Sequence, residues 1–322
     1  MAIKRRLFLI LSSVAGLGAF GLGRWLGQRA NAIYRPEQFP IAEAEPAIAP
    51  DLQAAKSSEL LLRFVATADS GSGDRNQFAV GEAMARYHQR NPYNLAVLAG
   101  DNIYNNGEIE KINQVFEEPY KAVLQRGVKF RACLGNHDIR TDNGNPQVAY
   151  AGFNMPDRYY TFQQNGVQFF ALDTNVNAAW DAQLAWLERE LQQSTAQWKI
   201  VFGHHPIYAS GVYGTNPAFV RRFAPLFKKY GVQLYINGHE HHYERTRAIE
   251  GTTYLITGHG GASLRDVGKN PWTAYAVSRH GFTALEVYRD RIEIQGIGTN
   301  HQVFDRGTVH LTDSSTRQLS RL

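Results

Sequence analysis

Five short segments of this 322-residue chain each end an apolar run with side chains able to bind a metal ion. FVATADSGSG carries Asp69, LAGDNIYNNG carries Asp101 and Tyr104, and RACLGNHD carries Asn136 and His137. KIVFGHHPIY carries His204, and LYINGHEHHYER carries His239 and His241. Carboxylates and a phenolate are hard anionic donors that suit a trivalent ion, whereas imidazole and a neutral amide suit a softer divalent one. Taken singly each segment is weak, because Gly-Asp behind a strand is usually a turn and His-x-His is often only a polar loop end. All five in series, each directly behind an apolar run, point to one shared metal site.

Residues so far apart in the chain meet only if the fold gathers their loops. In an α/β sheet, ligands collect in the crevice beyond the carboxyl ends of the strands. LLLRFVAT, LAVLAG, VKFRACLG, VQFFALD, KIVFGH and VQLYINGH read as strands. Segments 77–89, 108–126, 182–193 and 218–230 read as helices, and 253–257, 283–288 and 292–297 as late, antiparallel strands. This alternation predicts a sheet-rich α/β fold with helices outside. The expected organisation is a targeting segment at 1–32, a linker at 33–58 rich in Ala, Pro and Glu, a folded domain at 59–306 and a fraying polar tail at 307–322.

Charge narrows the partners. The net charge is +5, but five of the 34 basic residues lie in the first 32 positions, which contain no acid. The rest of the chain is formally neutral against 29 acidic residues, so no nucleic-acid footprint is present. No G-x-x-x-x-G-K motif supports a P-loop. KRRLFL, an apolar stretch broken by Gly and Ser, and Ala30-Asn31-Ala32 resemble a twin-arginine export signal with its cleavage site. Its alternative is an uncleaved anchor helix, the one route to membrane association. Export implies a periplasmic or extracellular location. Cys133, the lone cysteine, cannot form an internal disulfide and reads as a buried strand residue.

The series D-x-G, G-D-x-x-Y, G-N-H-D, G-H-x-P and G-H-x-H resembles the purple acid phosphatases, within the calcineurin-like phosphoesterases. The Tyr three residues after Asp101 points to the purple subgroup, and the short segment before residue 59 to its small, tartrate-resistant type. Resemblance extends from about 61 to 297 and includes Leu172-Asp173-Thr174 and Tyr243-Glu244-Arg245. It implies a metallophosphoesterase-type mixed β-sheet sandwich flanked by helices, αββα. It also implies a dinuclear centre: Fe(III) held by Asp69, Asp101, Tyr104 and His241, and Fe(II), Zn or Mn held by Asp101, Asn136, His204 and His239. Asp101 would bridge the two ions.

His137 would then contact the phosphoryl oxygens or the leaving group, oriented by Asp138. The implied function is an exported phosphomonoesterase working by metal-activated hydroxide attack on a small phosphate ester. The same scaffold also serves phosphodiesterases and nucleotidases, and a non-catalytic metal- or phosphate-binding protein is a further alternative. Two positions depart from the family pattern. Ala68 stands where Gly usually precedes the first Asp, and Tyr213 stands where related enzymes commonly place a second catalytic His. Tyr213 and His259, in TGHGGA, are expected to reach the substrate, whereas His205 and His242 read as neighbours of ligands. The oligomeric state is not legible.

Overall fold

Thirteen strands of four to eight residues, the central ones built on apolar runs, form in the computed structural model, which describes residues 59–311. The expectations for 1–58 and 312–322 lie outside the described residues. In chain order the strands begin with β1 (Leu60–Thr67), β2 (Leu95–Ala99), β3 (Lys129–Cys133), β4 (Tyr160–Gln164) and β5 (Val167–Ala171). Next come β6 (Trp198–Phe202), β7 (Leu234–Asn237), β8 (Tyr243–Thr246) and β9 (Thr253–Thr257). The last four are β10 (Thr273–Val277), β11 (Gly281–Tyr288), β12 (Arg291–Gly298) and β13 (Val303–His310).

Two mixed sheets result, ordered β13-β12-β11-β1-β2-β3 and β10-β8-β9-β7-β6-β5-β4. In the first, β1, β2 and β3 run parallel. In the second, β5, β6, β7 and β9 do so. Every residue of β2, β5 and β7 is buried, as expected of central strands covered on both faces. The sheets share one core: the rings of Phe64 on β1 and Phe169 on β5 meet edge to face at 5.3 Å. Truncating such a wholly buried Phe to Ala costs about 3–5 kcal/mol.

Helices cover the outer faces. Asp74 caps α1 (Arg75–Arg90) by accepting from the amides of Asn76 and Gln77, and Tyr87 of this helix packs on Phe282 of β11. Helix α2 (Glu118–Leu124) lies against α1, where Gly81 lets the Pro119 carbonyl approach. After the short α3 (Asn145–Ala149) come α4 (Trp180–Gln193) and α5 (Pro217–Tyr230). These two join through Trp180 and Phe219, while Phe227 reaches Tyr235 of β7. The architecture is therefore the αββα sandwich.

Several expected boundaries change. The helix read over 108–126 is broken into a 3₁₀ turn (Ile109–Lys111), a π turn (Asn113–Glu117) and α2, with Pro119 at the start of the α segment. Proline lacks the N–H that an unbroken helix would use there. Of the late strands, β9 pairs parallel to β7 and antiparallel to β8. Residues 307–310 do not fray, because they complete β13 and pair with 291–294 of β12, with Val309 buried. The folded domain thus passes the expected boundary at 306. Strands β4, β8, β10 and β13 carry mixed polar sequences and escaped the apolar-run criterion.

Candidate metal centre

Asp69 follows β1, Asp101 follows β2, Asn136 follows β3, His204 follows β6, and His239 and His241 follow β7. Five loops at the carboxyl ends of parallel strands thereby converge. Asp69, Asp101 and His239 take left-handed backbone angles, with φ of 53°, 51° and 68°. Such angles are costly for residues with a Cβ and cluster at functional sites. Glycines make the close approach possible. A Cβ on Gly135 would collide with the Asp101 carboxylate, and one on Gly238 with that of Asp69.

The donors form two groups. In the first, the Tyr104 hydroxyl lies 3.1 Å from Asp69 Oδ1, 3.0 Å from Asp101 Oδ2 and 3.2 Å from His241 Nε2. In the second, Asn136 Oδ1 lies 3.2 Å from His204 Nε2 and 2.8 Å from His239 Nδ1. Asp101 Oδ2 is also 3.4 Å from His204 Nε2, so one carboxylate touches both groups. Backbone amides fix the carboxylates: His239 N donates to Asp69 at 2.8 Å and His137 N to Asp101 at 2.9 Å.

Does this donor set fit metal ions? The Tyr104 phenol has one proton, yet faces two carboxylate oxygens and an imidazole nitrogen. A cation at their meeting point would satisfy all of them. Carbonyls behind the rings set the tautomers: His204 Nδ1–H donates to Ala99 O at 3.0 Å and His241 Nδ1–H to Ser263 O at 2.7 Å. Each Nε2 then faces the cluster, the arrangement typical of metal-binding histidines. Burial, followed by the negative charges of Asp69 and Asp101, holds the Tyr104 phenol far above its ordinary pKa. Only an added positive charge would make it a phenolate.

The remaining charges are strongly coupled. Burial works against the charged forms of both Asp101 and His204, but their mutual attraction outweighs it. Asp101 is held below the usual carboxylate range and His204 is raised to about 9. Burial and the neighbouring His204 and His205 push His239 down to about 2, leaving it neutral and able to donate a lone pair.

The other expected site residues divide. His137 borders the cluster, its Nε2 3.9 Å from Asp101 Oδ2. Asp138 does not orient it. That carboxylate is wholly buried and accepts from the amides of Asn102, Ile103 and Gly135 and the side chains of Asn102 and Gln147. It ties two ligand loops together, because the turn after His137 points it inward. The His137 ring is instead held by Asn105 O, 2.6 Å from Nδ1, with Arg140 Nη2 3.4 Å from Nε2. Tyr213 stands at the rim, stacked on His239 with ring centroids 4.4 Å apart.

His259 does not reach a substrate. It is wholly buried, with its ring against Tyr243 and Phe304, and burial pushes its pKa down to about 3. His205 turns toward the centre, its ring 4.6 Å from that of His239, and Thr174 Oγ1 lies 2.8 Å from its Nδ1. His242 is buried beside Glu244, under the loop that carries Tyr213. Sequence reasoning missed Asn105, Arg140, Glu240 and Arg265. Only Glu240 carried a signal, as an acid set between two ligand histidines.

Known proteins share this frame. The chain matches the calcineurin-like phosphoesterase family over residues 62–243. It is 28% identical to human tartrate-resistant acid phosphatase type 5 over 238 residues, spanning 62% of this chain and 73% of the relative. Identity to purple acid phosphatase 4 of Arabidopsis thaliana is 27% over 293 residues, spanning 79% and 84%. Among solved structures, the fold resembles a purple acid phosphatase from yellow lupin seeds (TM-score 0.68, 18% identity, 79% of this chain and 54% of that one). It also resembles GAP50, the anchor in the inner membrane complex of Plasmodium (TM-score 0.70, 20% identity, 82% and 95%). The similarity to purple acid phosphatases implies a dinuclear metal centre. With its donor groups and the family match over more than half its length, the chain belongs to the calcineurin-like phosphoesterases and is a metal-dependent hydrolase of phosphoric esters.

Proposed function

We propose that this enzyme is an exported phosphomonoesterase of the purple type, with Fe(III) in the Asp69, Asp101, Tyr104 and His241 group and a divalent ion in the Asp101, Asn136, His204 and His239 group. The observation that carries this reading is the Tyr104 hydroxyl set among Asp69, Asp101 and His241. When bound, the two ions supply Lewis-acid stabilisation of the phosphoryl oxygens and activation of the attacking water. The protein supplies orientation and proton handling. His137 is locked by its Nδ1–H on Asn105 O, which leaves Nε2 as the atom that meets the ester. A proton carried on that atom would pass to the departing oxygen, a contribution of typically 10²–10⁴-fold. Arg140, beside Nε2, adds a fixed positive charge for the ester dianion.

Metal analysis, a visible spectrum and steady-state kinetics test the reading together. The iron-loaded protein is expected to be purple or pink, and Tyr104→Phe to bleach it while retaining metal. A colourless, iron-free, active enzyme would remove the purple assignment. Phenyl phosphate should be hydrolysed with higher kcat/KM than diphenyl phosphate, and the reverse order would make the enzyme a phosphodiesterase. Full metal loading with no turnover of either ester would favour a binding or anchoring role on this fold. For export, replacing Arg5 and Arg6 by Lys should retain the precursor in the cytoplasm, and unchanged export would argue for the general route or a simple anchor.

A further inference from the structure

Tyr213 and Arg265 are both attached to the ligand His239. The Tyr213 ring stacks on the imidazole at 4.4 Å and 24°, yet the residue remains 57% exposed. Arg265 donates from Nη1 to the His239 carbonyl at 2.6 Å, and its Cζ lies 4.9 Å from the Tyr213 ring centroid. Among the described residues, no carboxylate pairs with Arg265, and its other donors are left for a ligand. The exposed Val212, at 65%, extends the apolar lip.

The lip is held from below. Glu240 is wholly buried between the two ligand histidines of its loop, and its carboxylate accepts three successive amides. These are Val212 at 3.1 Å, Tyr213 at 2.6 Å and Gly214 at 3.1 Å. Hydrogen bonds to a buried carboxylate are strong, so the rim is pinned to the ligand loop by an anion that cannot relax into water. An exposed aromatic ring and a guanidinium with free donors, both fixed in advance, need little ordering when a ligand arrives.

We propose that Tyr213 and Arg265 form a leaving-group subsite for aromatic phosphate esters whose ring carries a second anionic group. The substrate ring packs against the exposed part of the Tyr213 ring, and the anion, a carboxylate or a second phosphate, pairs with Arg265 in the bidentate geometry that guanidinium favours. Glu240 is a positioning residue that keeps both in register with the metal centre. This deepens the phosphomonoesterase reading and rests on it.

Three substrates separate the parts: ethyl phosphate, phenyl phosphate and 4-carboxyphenyl phosphate, with the metal-loaded full chain. Tyr213→Ala should lower kcat/KM for both aryl esters about tenfold relative to ethyl phosphate. Arg265→Met should cost the carboxylated ester about tenfold more than phenyl phosphate, with Arg265→Lys recovering part of that difference. Glu240→Gln should erode the aryl preference at unchanged metal content. Equal losses on all three esters would overturn the subsite and place Arg265 on the transferred phosphoryl group. If Arg265→Met loses metal or fails to fold, the unaltered enzyme decides. Its KM for the carboxylated ester must then rise more steeply with NaCl than that for phenyl phosphate, and a constant ratio overturns the proposal. If no ester is turned over, the phosphatase reading fails. Calorimetric binding then tests the subsite alone: 4-hydroxybenzoate must bind more tightly than phenol to the unaltered protein, and equal affinity refutes it.

Discussion

The floor of the site and its lip are built on different physics. The floor consists of donors at the ends of parallel strands, with Asp69 and Asp101 buried and each clamped by a backbone amide from another loop. The lip, around Val212 and Tyr213, lies in a loop outside the regular elements and is largely exposed. Its place depends on two buried carboxylates beneath it, Glu240 and Glu244, the latter accepting Ser210 N at 2.7 Å. The floor is over-determined, so it fixes the reaction. The lip hangs on a few hydrogen bonds, so it is where substrate preference can change at little cost to the chemistry.

The sharpest way to break the floor is Asp101→Ala. Removing the carboxylate that touches both donor groups should abolish paired metal binding and lower kcat/KM at least about 10³-fold, read by metal analysis and phenyl phosphate turnover. Retention of two ions per chain would show that Asp101 is not shared.

Gly135→Ala perturbs the same floor without deleting a donor. Its new Cβ collides with the Asp101 carboxylate, and metal affinity should fall about 10–100-fold by competition with a chelator. Gly127→Ala is the matched comparison. Gly127 has positive φ, at +80°, which Gly135 does not, and a Cβ there meets no neighbour. It should cost about 1–2 kcal/mol of stability and leave metal affinity unchanged. Equal metal loss in both variants would trace the effect to general destabilisation and not to the Asp101 contact.

The smallest effect belongs to the lip. Tyr213→His places a stronger acid beside His239, since imidazolium titrates near 6.5 and a phenol near 10. It should raise kcat/KM for ethyl phosphate by about a few-fold more than for phenyl phosphate, because an alkoxide needs the proton more. The same factor for both esters would limit the position to binding.

Much of the floor was legible because its signals are local. Asp101 and Tyr104 sit three residues apart behind an apolar run, and His239 and His241 flank one residue behind another. Strand β1 was read at its observed bounds because a mainly apolar run, interrupted only by Arg63, between Glu59 and Asp69 admits few alternatives. The lip was not legible in this way. Glu240 acts on amides 26 to 28 positions earlier in the chain, and no spacing rule connects them. Asp138 misled for the same reason. Adjacent to His137 in sequence, it spends its hydrogen bonds on Asn102 and Ile103, 36 and 35 positions away.

By itself, the sequence determined the donor types, their order and their place behind strands, because apolar periodicity and ligand chemistry are properties of short segments. Tertiary structure alone decided which histidines reach the donor cluster and which backbone groups hold them. His259 and His204 both follow an apolar strand and a glycine, yet one is enclosed by Tyr243 and Phe304 while the other reaches Asn136 and Asp101. Burial, and hydrogen bonding between distant loops, arise only when the two sheets pack, and they turn a residue able to bind a metal into one that can reach it.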